Sequence, residues 1–363
     1  MPTFFTRVAA AALAALTIPA LAACSDQPAA PSPQPVPSDS ATPGAGAEDP
    51  DAPAADPVAA AAAWLTSNLT DATHVEIEYD GDMLADAGAT IDVMWALVAA
   101  GDLDAAGTVV DWLAQRQVAI DYAGDGQQAA YPSSMGKLAL AYLTPGLAPT
   151  PEYQSAEALA AGVAGRLKPE GRFRDISEWG DNSTPMGQAF DIMLLVKLGM
   201  MDGLAADPVA GLVAVACDDG SYPVMFDTDP PCVGEVETTA VVAQALMAAG
   251  EDAAAERAFD YLLAAQTESG RWQNSGTDSV GATSLAVSAL ALRADPEAAD
   301  AAALGLQQLK AWQLPRSAAF PGIGAAGGAT NAGGTEGDVR ATAQAVLGLS
   351  LVSYLDLLGV EPR

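Results

Sequence analysis

An all-α domain built from six tandem helical hairpins is predicted by three observations. Aromatic residues that follow helix ends, Tyr122, Phe173, Tyr222, Trp272 and Phe320, recur 51, 49, 50 and 48 residues apart, and self-similarity at one period marks an array of a single supersecondary unit. Alanine-rich stretches with helical apolar spacing alternate with Gly and Pro punctuation from Val58 onward. Finally, Thr90, Thr239, Thr283 and Thr342 are each followed seven residues later by Leu97, Leu246, Leu290 and Leu349. Seven residues is about two helical turns, so each Thr shares a face with its Leu.

The amino terminus is a separate unit. One cation, Arg7, precedes an apolar run from Val8 to Ala22 and then Leu21-Ala22-Ala23-Cys24. The run is shorter than the ~20 residues of a spanning helix and ends in small residues, as an export signal does. It resembles a bacterial lipoprotein signal peptide, which implies cleavage before Cys24, acylation of that thiol and an extracytoplasmic, membrane-anchored protein. Nine prolines lie between Ser25 and Pro57 among Ala, Ser, Gly and acids, a composition that stiffens a chain without giving it a core. The expected organisation is a signal peptide over 1–23, a lipidated Cys24 and disordered Pro/Ala-rich tether over 24–57, and the helical domain over 58–363.

Within that domain two helix types alternate. Outer helices are expected near Ala59–Leu69, Ala105–Gln115, Ala156–Leu167, Pro208–Ala216, Ala253–Ala265 and Glu297–Trp312, each coming first in its pair. Inner helices are expected near Ala89–Ala100, Ser134–Leu143, Met186–Met200, Thr238–Ala249, Ala282–Arg293 and Val339–Leu357. Gln188 and Leu195 fit the Thr/Leu spacing, whereas the helix at Ser134 fits it poorly, so the second pair is the least regular.

A formal charge of −31 at pH 7 opposes binding to nucleic acid and other phosphate-rich partners. Cys217 and Cys232 are the remaining thiols; in an exported chain a pair fifteen positions apart is expected to close a disulfide loop. The lone histidine, His74, has no ligand at metal-site spacing, and no metal is expected.

The segment Arg257-Ala258, Tyr261-Leu262-Leu263, Gln266, Gly270 and Trp272 resembles the QW repeat of squalene and terpenoid cyclases. Degenerate copies occur at Lys168-Pro169-Glu170-Gly171-Arg172-Phe173 and Cys217-Asp218-Asp219-Gly220-Ser221-Tyr222. The resemblance runs from about Ala59 to Leu358 and implies an (α/α)6 toroid, with inner helices around a central cavity. The same ring is found in protein prenyltransferase β-subunits and in the helical domain of cobalamin carriers. In the repeat, Gln266 and Trp272 are expected to tie helix ends to their neighbours.

Such a fold hosts several activities, so function has to be read from the site. Gly234-Glu235-Val236-Glu237-Thr238-Thr239-Ala240 lies where class II cyclases carry Asp-x-Asp-Asp-Thr-Ala, and the resemblance implies Glu237 as proton donor with Glu235 as its partner. The motif departs from the pattern, because Glu replaces Asp twice and Thr238 replaces the third acid. A single ring is present where those cyclases are expected to use two. An acid at a helix start also caps backbone donors, and Asp86 and Asp338 occupy the equivalent places before Thr90 and Thr342. The zinc ligands and basic patch of prenyl transfer are not visible, nor is a thioester segment. A glycosidase pair could be drawn from Glu235/Glu237 or from Asp175/Glu178/Asp181.

Two loops are expected to line the ring mouth: the glycine-rich 320–336 stretch, and 176–185, whose Trp179 offers an exposed aromatic contact for a ligand. His74 is expected to be a solvated loop residue without a partner. The leading expectation is a lipid-anchored protein that binds a small ligand or a protein partner in the ring, with a corrinoid as the specific suggestion. The alternative is an isoprenoid cyclase using Glu237 as general acid.

Overall fold

The computed structural model describes residues 56–362, apart from 228–229, 316 and 322–336. The expected signal peptide, Cys24, the expected tether and most of the glycine-rich stretch lie outside the described residues. Six outer helices are present, α1 (Pro57–Ser67), α3 (Leu103–Leu113), α6 (Ala156–Ala164), α8 (Pro208–Val213), α10 (Asp252–Ala264) and α12 (Pro296–Trp312). Six inner helices alternate with them, α2 (Ala87–Ala99), α5 (Pro132–Tyr142), α7 (Pro185–Lys197), α9 (Val236–Ala249), α11 (Val280–Leu290) and α13 (Val339–Ser350). Each inner helix packs on the next, and α13 returns to α2, so the array closes into a ring.

The two layers differ as their sequences dictate. Every residue of α11 is buried, as befits a helix that is apolar or small-polar all round. In α10 the buried residues Ala254, Ala255, Ala258, Phe259 and Leu262 form one stripe, and the other face is solvated. The expected order within each pair is corrected. Outer helices α3, α6, α8, α10 and α12 pack chiefly on the inner helix that precedes them, and α1 packs chiefly on α13. The first helix thus covers the last inner one.

One hydrogen-bond unit recurs and explains the Thr register. The turns after α6, α8, α10 and α12 bury an aromatic side chain, and the backbone N–H there needs an acceptor away from water. Tyr222, Trp272 and Phe320 donate to the hydroxyls of Thr239, Thr283 and Thr342 at 2.9, 3.1 and 2.9 Å. Val75 donates likewise to Thr90 at 3.0 Å, and Phe173 to Gln188 Oε1 at 3.2 Å. The hydroxyls of Thr90, Thr239 and Thr342 in turn donate to the carbonyls of Asp86, Glu235 and Asp338. Each clamp residue is therefore satisfied as donor and acceptor, in the fourth position of its helix.

Glutamine supplies a second tie. Gln266 Nε2 donates to the Gly270 carbonyl and, at 2.8 Å, to that of Ala301 in α12, while Trp272 Nε1 donates to the Leu262 carbonyl at 2.7 Å. Gly270 has φ +83°, and a Cβ there would lie 2.9 Å from Leu304 Cβ, so the turn both needs the left-handed conformation and abuts the next outer helix. Gln313 repeats the tie at the seam of the ring, donating at 2.8 Å to the carbonyls of Ala318 and of Pro57 in α1.

Five features depart from expectation. Tyr122 is not a turn aromatic but belongs to an additional helix, α4 (Arg116–Ala123), which makes the second repeat irregular. A hairpin, β1 (Glu76–Tyr79) with β2 (Asp82–Ala85), precedes α2; its turn residues Asp80 and Gly81 both have positive φ, as an Asp-Gly hairpin turn requires. Two-residue pairs β3 (Gln273–Asn274) with β4 (Thr277–Asp278), and β5 (Phe320–Pro321) with β6 (Gly337–Asp338), precede α11 and α13. The last inner helix, expected to reach Leu357, stops at Ser350: Leu351 is left-handed and Ser353 caps a separate helix, α14 (Tyr354–Leu358). His74 is not solvated alone either. Its ring stacks on Trp112 at 4.4 Å, and Nδ1 lies 2.8 Å from Thr73 Oγ1.

Cys217 and Cys232 form a disulfide across the loop between α8 and α9. Neither thiol is expected to react with maleimide until a reductant is added, and Cys232→Ser should lower stability by about 3 kcal/mol in urea unfolding. Gln313→Leu should lower it by about 1–3 kcal/mol, since two carbonyls lose their donor; an unchanged midpoint would mean that the seam does not depend on this side chain.

Candidate active site

The clamp fixes which residues face the centre of the ring. Each clamp side chain points outward to the turn it holds, so residues two positions before and after it lie about 160–200° away and point inward. From α9 these are Glu237 and Val241; from α13, Arg340 and Gln344; from α2, Asp92; from α7, Phe190. Lys137 of α5 occupies the corresponding place. Glu237, Asp92, Lys137, Arg340 and Gln344 are half-buried, whereas Val241, Leu285 and Phe190 are buried. The centre of the ring thus gathers half-buried polar side chains above buried apolar ones, Leu285 of α11 among the latter.

The base is aromatic. Trp95 of α2, Phe190 and Tyr354 of α14 pack together, with Tyr354 edge-on to both at 5.6 and 5.2 Å and the other two rings 5.8 Å apart. Tyr354 is held at the hub by its backbone N–H, which donates to Gln244 Oε1 of α9 at 2.7 Å. Burial raises its pKa, and the charges of Asp92 and Glu237 raise it further. The Lys137 ammonium lies 5.5 and 5.9 Å from the Trp95 and Phe190 ring centres, so these faces already receive positive charge.

One wall is an ion network. Lys137 Nζ contacts Asp92 at 2.6 Å, and Arg340 contacts Asp86 at 2.6 Å and Asp92 at 3.4 Å. Burial pushes the Asp86 carboxyl up, but the Arg340 charge and the Ala89 N–H outweigh it and hold the pKa below the usual value. The two cations and two carboxylates balance.

The opposite wall carries Glu237. Its Oε1 accepts from Asn274 Nδ2 at 2.7 Å and from the Ser279 hydroxyl at 3.2 Å, and Gln344 also hydrogen-bonds it. Burial raises its pKa most, the charge of Glu235 adds to that, and the hydrogen bonds from Asn274, Ser279 and Gln344 oppose both; the balance is about 7. Donors aimed at the ionised form make the carboxyl a readier acid, while desolvation keeps it protonated near neutrality. Asn274 Oδ1 and Gln344 Oε1 are buried without a partner.

Glu235 has a different task. It caps α9, its Oε2 accepting from the Thr238 N–H and hydroxyl, both at 2.7 Å. Asp86 and Asp338 cap α2 and α13 through Ala89 and Ala341, as the recurrence in sequence predicts. The motif's acids therefore divide, one satisfying a helix end and the other projecting towards the centre of the ring.

The other sequence candidates lie outside it. Trp179 is exposed on the 176–180 turn, at the rim. Asp181 accepts from the Asp175 and Ser183 N–H groups and lies 3.6 Å from both Arg172 and Arg174, while Glu178 is exposed; this trio is a tied loop rather than a facing acid pair. Burial raises Asp175 to about 6, against the pull of the Asn182 N–H.

Several functional side chains have no motif to announce them: Asn274, Ser279, Gln344, Lys137 and Arg340. For Gln344, Lys137 and Arg340 the signal is position relative to the clamp, usable once the clamp is assigned; Asn274 and Ser279 precede α11 and have none. Asp191 is also missed. It is 1% exposed, with Oδ1 unpartnered against Gly136 of α5, and burial, with the charge of Asp175, raises its pKa well above the ordinary value.

No protein-family model and no curated protein sequence matches the chain. Solved structures do. The type II terpene cyclase MstE from Scytonema aligns with TM-score 0.58 and 16% identity over 81% of this chain and 96% of the cyclase. A variant of it in complex with geranylgeranyl dihydroxybenzoate aligns with TM-score 0.57 and 16% identity over the same shares. The unsaturated glucuronyl hydrolase of Bacillus sp. GL1 aligns with TM-score 0.51 and 15% identity over 81% of this chain and 95% of the hydrolase. The chain thus has the terpenoid cyclase-like α/α toroid. The single ring of this chain covers 96% of MstE.

Asp191 gives a pH test. Its folded pKa lies above its unfolded one, so the native state binds the extra proton between them and its contribution to stability is lost as pH rises. Asp191→Asn should therefore stabilise the domain at pH 8 by on the order of 1 kcal/mol or more and have little effect at pH 4, read from urea midpoints. A destabilised variant at pH 8 would show that the carboxylate is ionised and paired.

Proposed function

We propose that this protein is an acid-initiated isoprenoid cyclase in which Glu237 is the general acid. The reading is supported by a carboxyl at the centre of the ring, raised to about 7 chiefly by burial, close to the buried cluster of Trp95, Phe190 and Tyr354. The ring shared with MstE is consistent with it but speaks only to fold. We also propose, from the Leu21-Ala22-Ala23-Cys24 sequence, that the chain is exported and anchored by lipid on Cys24.

The chemistry balances within the substrate. The Glu237 proton adds to a terminal alkene carbon, making a C–H bond, breaking the π bond and leaving a tertiary carbocation. A second alkene attacks that cation to form the ring bond. The resulting cation loses a proton to water, so product and substrate are isomers, and Glu237 regains its proton from solvent. Trp95, Phe190 and Tyr354 offer negative ring faces to the migrating charge. Lys137 and Arg340 remain neutralised by Asp92 and Asp86, which keeps the centre of the ring from repelling it.

The test is incubation of the full chain with squalene, 2,3-oxidosqualene and geranylgeraniol in D₂O. Cyclised products of squalene and geranylgeraniol should carry one deuterium at the initiation carbon, those of 2,3-oxidosqualene, protonated on the epoxide oxygen, should gain only an exchangeable hydroxyl deuterium, and Glu237→Gln should reduce formation of all of them by about 10²–10⁴-fold. Because the protonated form is active, the rate should be level below pH 7 and fall about tenfold per unit above the Glu237 pKa of about 7. Recovery of all three substrates unchanged, with a corrinoid bound by visible spectroscopy instead, would replace this reading with ligand capture.

A further inference from the structure

Two buried oxygens beside Glu237 lack a donor. Asn274 is only 8% exposed and its Oδ1 has no partner, and the buried Oε1 of Gln344 has none either. Both side chains hydrogen-bond the Glu237 carboxyl. The C=O and C–N bond lengths put the oxygen of an amide about 2.3 Å from its nitrogen, so each orphan lies close to that carboxyl without being satisfied by it. Buried acceptors are ordinarily paired, with protein or with an ordered water.

The side chains are held by rigid elements. Asn274 pairs with Thr277 across Ser275 and Gly276, whose φ values are +50° and +78°, the signs of a primed two-residue hairpin turn. Ser279 caps α11, and Gln344 stands in α13 two positions after the clamp residue Thr342. Strand β3 and helices α11 and α13 therefore converge on one carboxyl of α9.

The hydrogen bonds fix which oxygen carries the proton. Oε1 accepts from Asn274 Nδ2 at 2.7 Å and from Ser279 Oγ at 3.2 Å, which occupies both of its lone pairs. The neutral acid bears its hydrogen on Oε2, and that hydrogen needs an acceptor. A single water satisfies all three groups: it accepts from Oε2–H and donates its own hydrogens to Asn274 Oδ1 and Gln344 Oε1. A buried water makes about three hydrogen bonds.

We propose that Asn274 and Gln344 are positioning residues that hold one water on Oε2 of Glu237, and that this water is the first carrier of the proton returning to the acid. The assignment rests on the reading of Glu237 as general acid. Once Glu237 has given up its hydrogen, the water swings one O–H from an amide oxygen to Oε2. That O–H breaks as Oε2–H forms, and the water takes a proton in turn from solvent. While Glu237 is ionised one amide oxygen is left unpaired, so the site favours the neutral acid. Glu237 and Gln344 are only half-buried, which lets the water exchange. Glu235 and Tyr354 are the ionisable neighbours whose charge couples to Glu237; Glu235 is engaged with Thr238, and the water therefore responds to Glu237.

Infrared difference spectra of the full chain, taken below and above the Glu237 midpoint of about 7, are compared in H₂¹⁶O and H₂¹⁸O, because a bound water shifts its O–H stretch with the oxygen isotope. One isotope-shifted band should titrate together with the Glu237 carboxyl. It should be lost in Asn274→Leu and in Gln344→Met while the carboxyl still titrates, and Glu237→Gln should abolish its response to pH. Absence of the band from the wild-type chain, or its persistence in either amide variant, overturns the proposal; the wild-type spectrum decides alone where an amide variant does not fold. A carboxyl that titrates near 7 without such a water leaves the general acid intact and removes the relay. A carboxyl that does not titrate there removes the general acid and the relay with it.

Discussion

A buried backbone N–H at five of the six outer-to-inner turns has to find an acceptor, and the architecture follows from how that need is met. The turn inserts a large side chain between layers, which carries its own peptide group out of water. An unpaired amide there costs as much as a net hydrogen bond contributes, and usually more. Thr at the fourth position of the inner helix answers it with one oxygen, which also returns a hydrogen bond to the capping residue's carbonyl in three of the repeats. Helix start, turn and interlayer contact are thus fixed together, and repetition of this unit at one period curls the chain until α1 lies on α13.

The site is a by-product of that constraint. Because the clamp side chain must face outward, its neighbours two positions away must face the hub, whatever they are. Asp92, Glu237, Arg340 and Gln344 come from three different repeats and share no motif, yet the same rotation delivers them to the centre of the ring. Glu237 is then defined by what surrounds it. Asn274 and Ser279 reach it from the segment before α11 and Gln344 from α13, so its acidity is a property of three repeats rather than of the Gly234–Ala240 segment alone. Tyr354 closes the base from outside the repeat pattern altogether, and its helix exists because Leu351 and Ser353 end α13 and start α14.

What could be read beforehand, and what could not, divides along the same line. The six outer–inner helix pairs, the Thr register, the capping acids and the Cys217–Cys232 bond are encoded locally, in spacing and residue type, and all of them can be taken from the sequence. The order of packing cannot, because an outer helix has apolar residues enough for either neighbour, and only closure shows that α1 belongs with α13. The second repeat hid α4 because Tyr122 falls at the repeat period by coincidence of length. Lys137, Arg340 and Asn274 carry no local signature, since their roles depend on partners some forty to two hundred and fifty residues away. Asp191 is hidden for a plainer reason: an acid in an otherwise apolar helix reads as a surface residue until Gly136 is seen to lie against it.

Glu237 links architecture to chemistry, and its protonation state is the quantity to measure. Infrared difference spectra of the chain with ¹³C-labelled glutamate carboxyls, titrated alongside Glu237→Gln, isolate the protonated C=O stretch of this one group. The account predicts a band lost on titration with a midpoint of about 7 and absent from the variant. A carboxyl that ionises with the surface glutamates, well below neutrality, would show that the centre of the ring does not shelter Glu237, and would contradict the account.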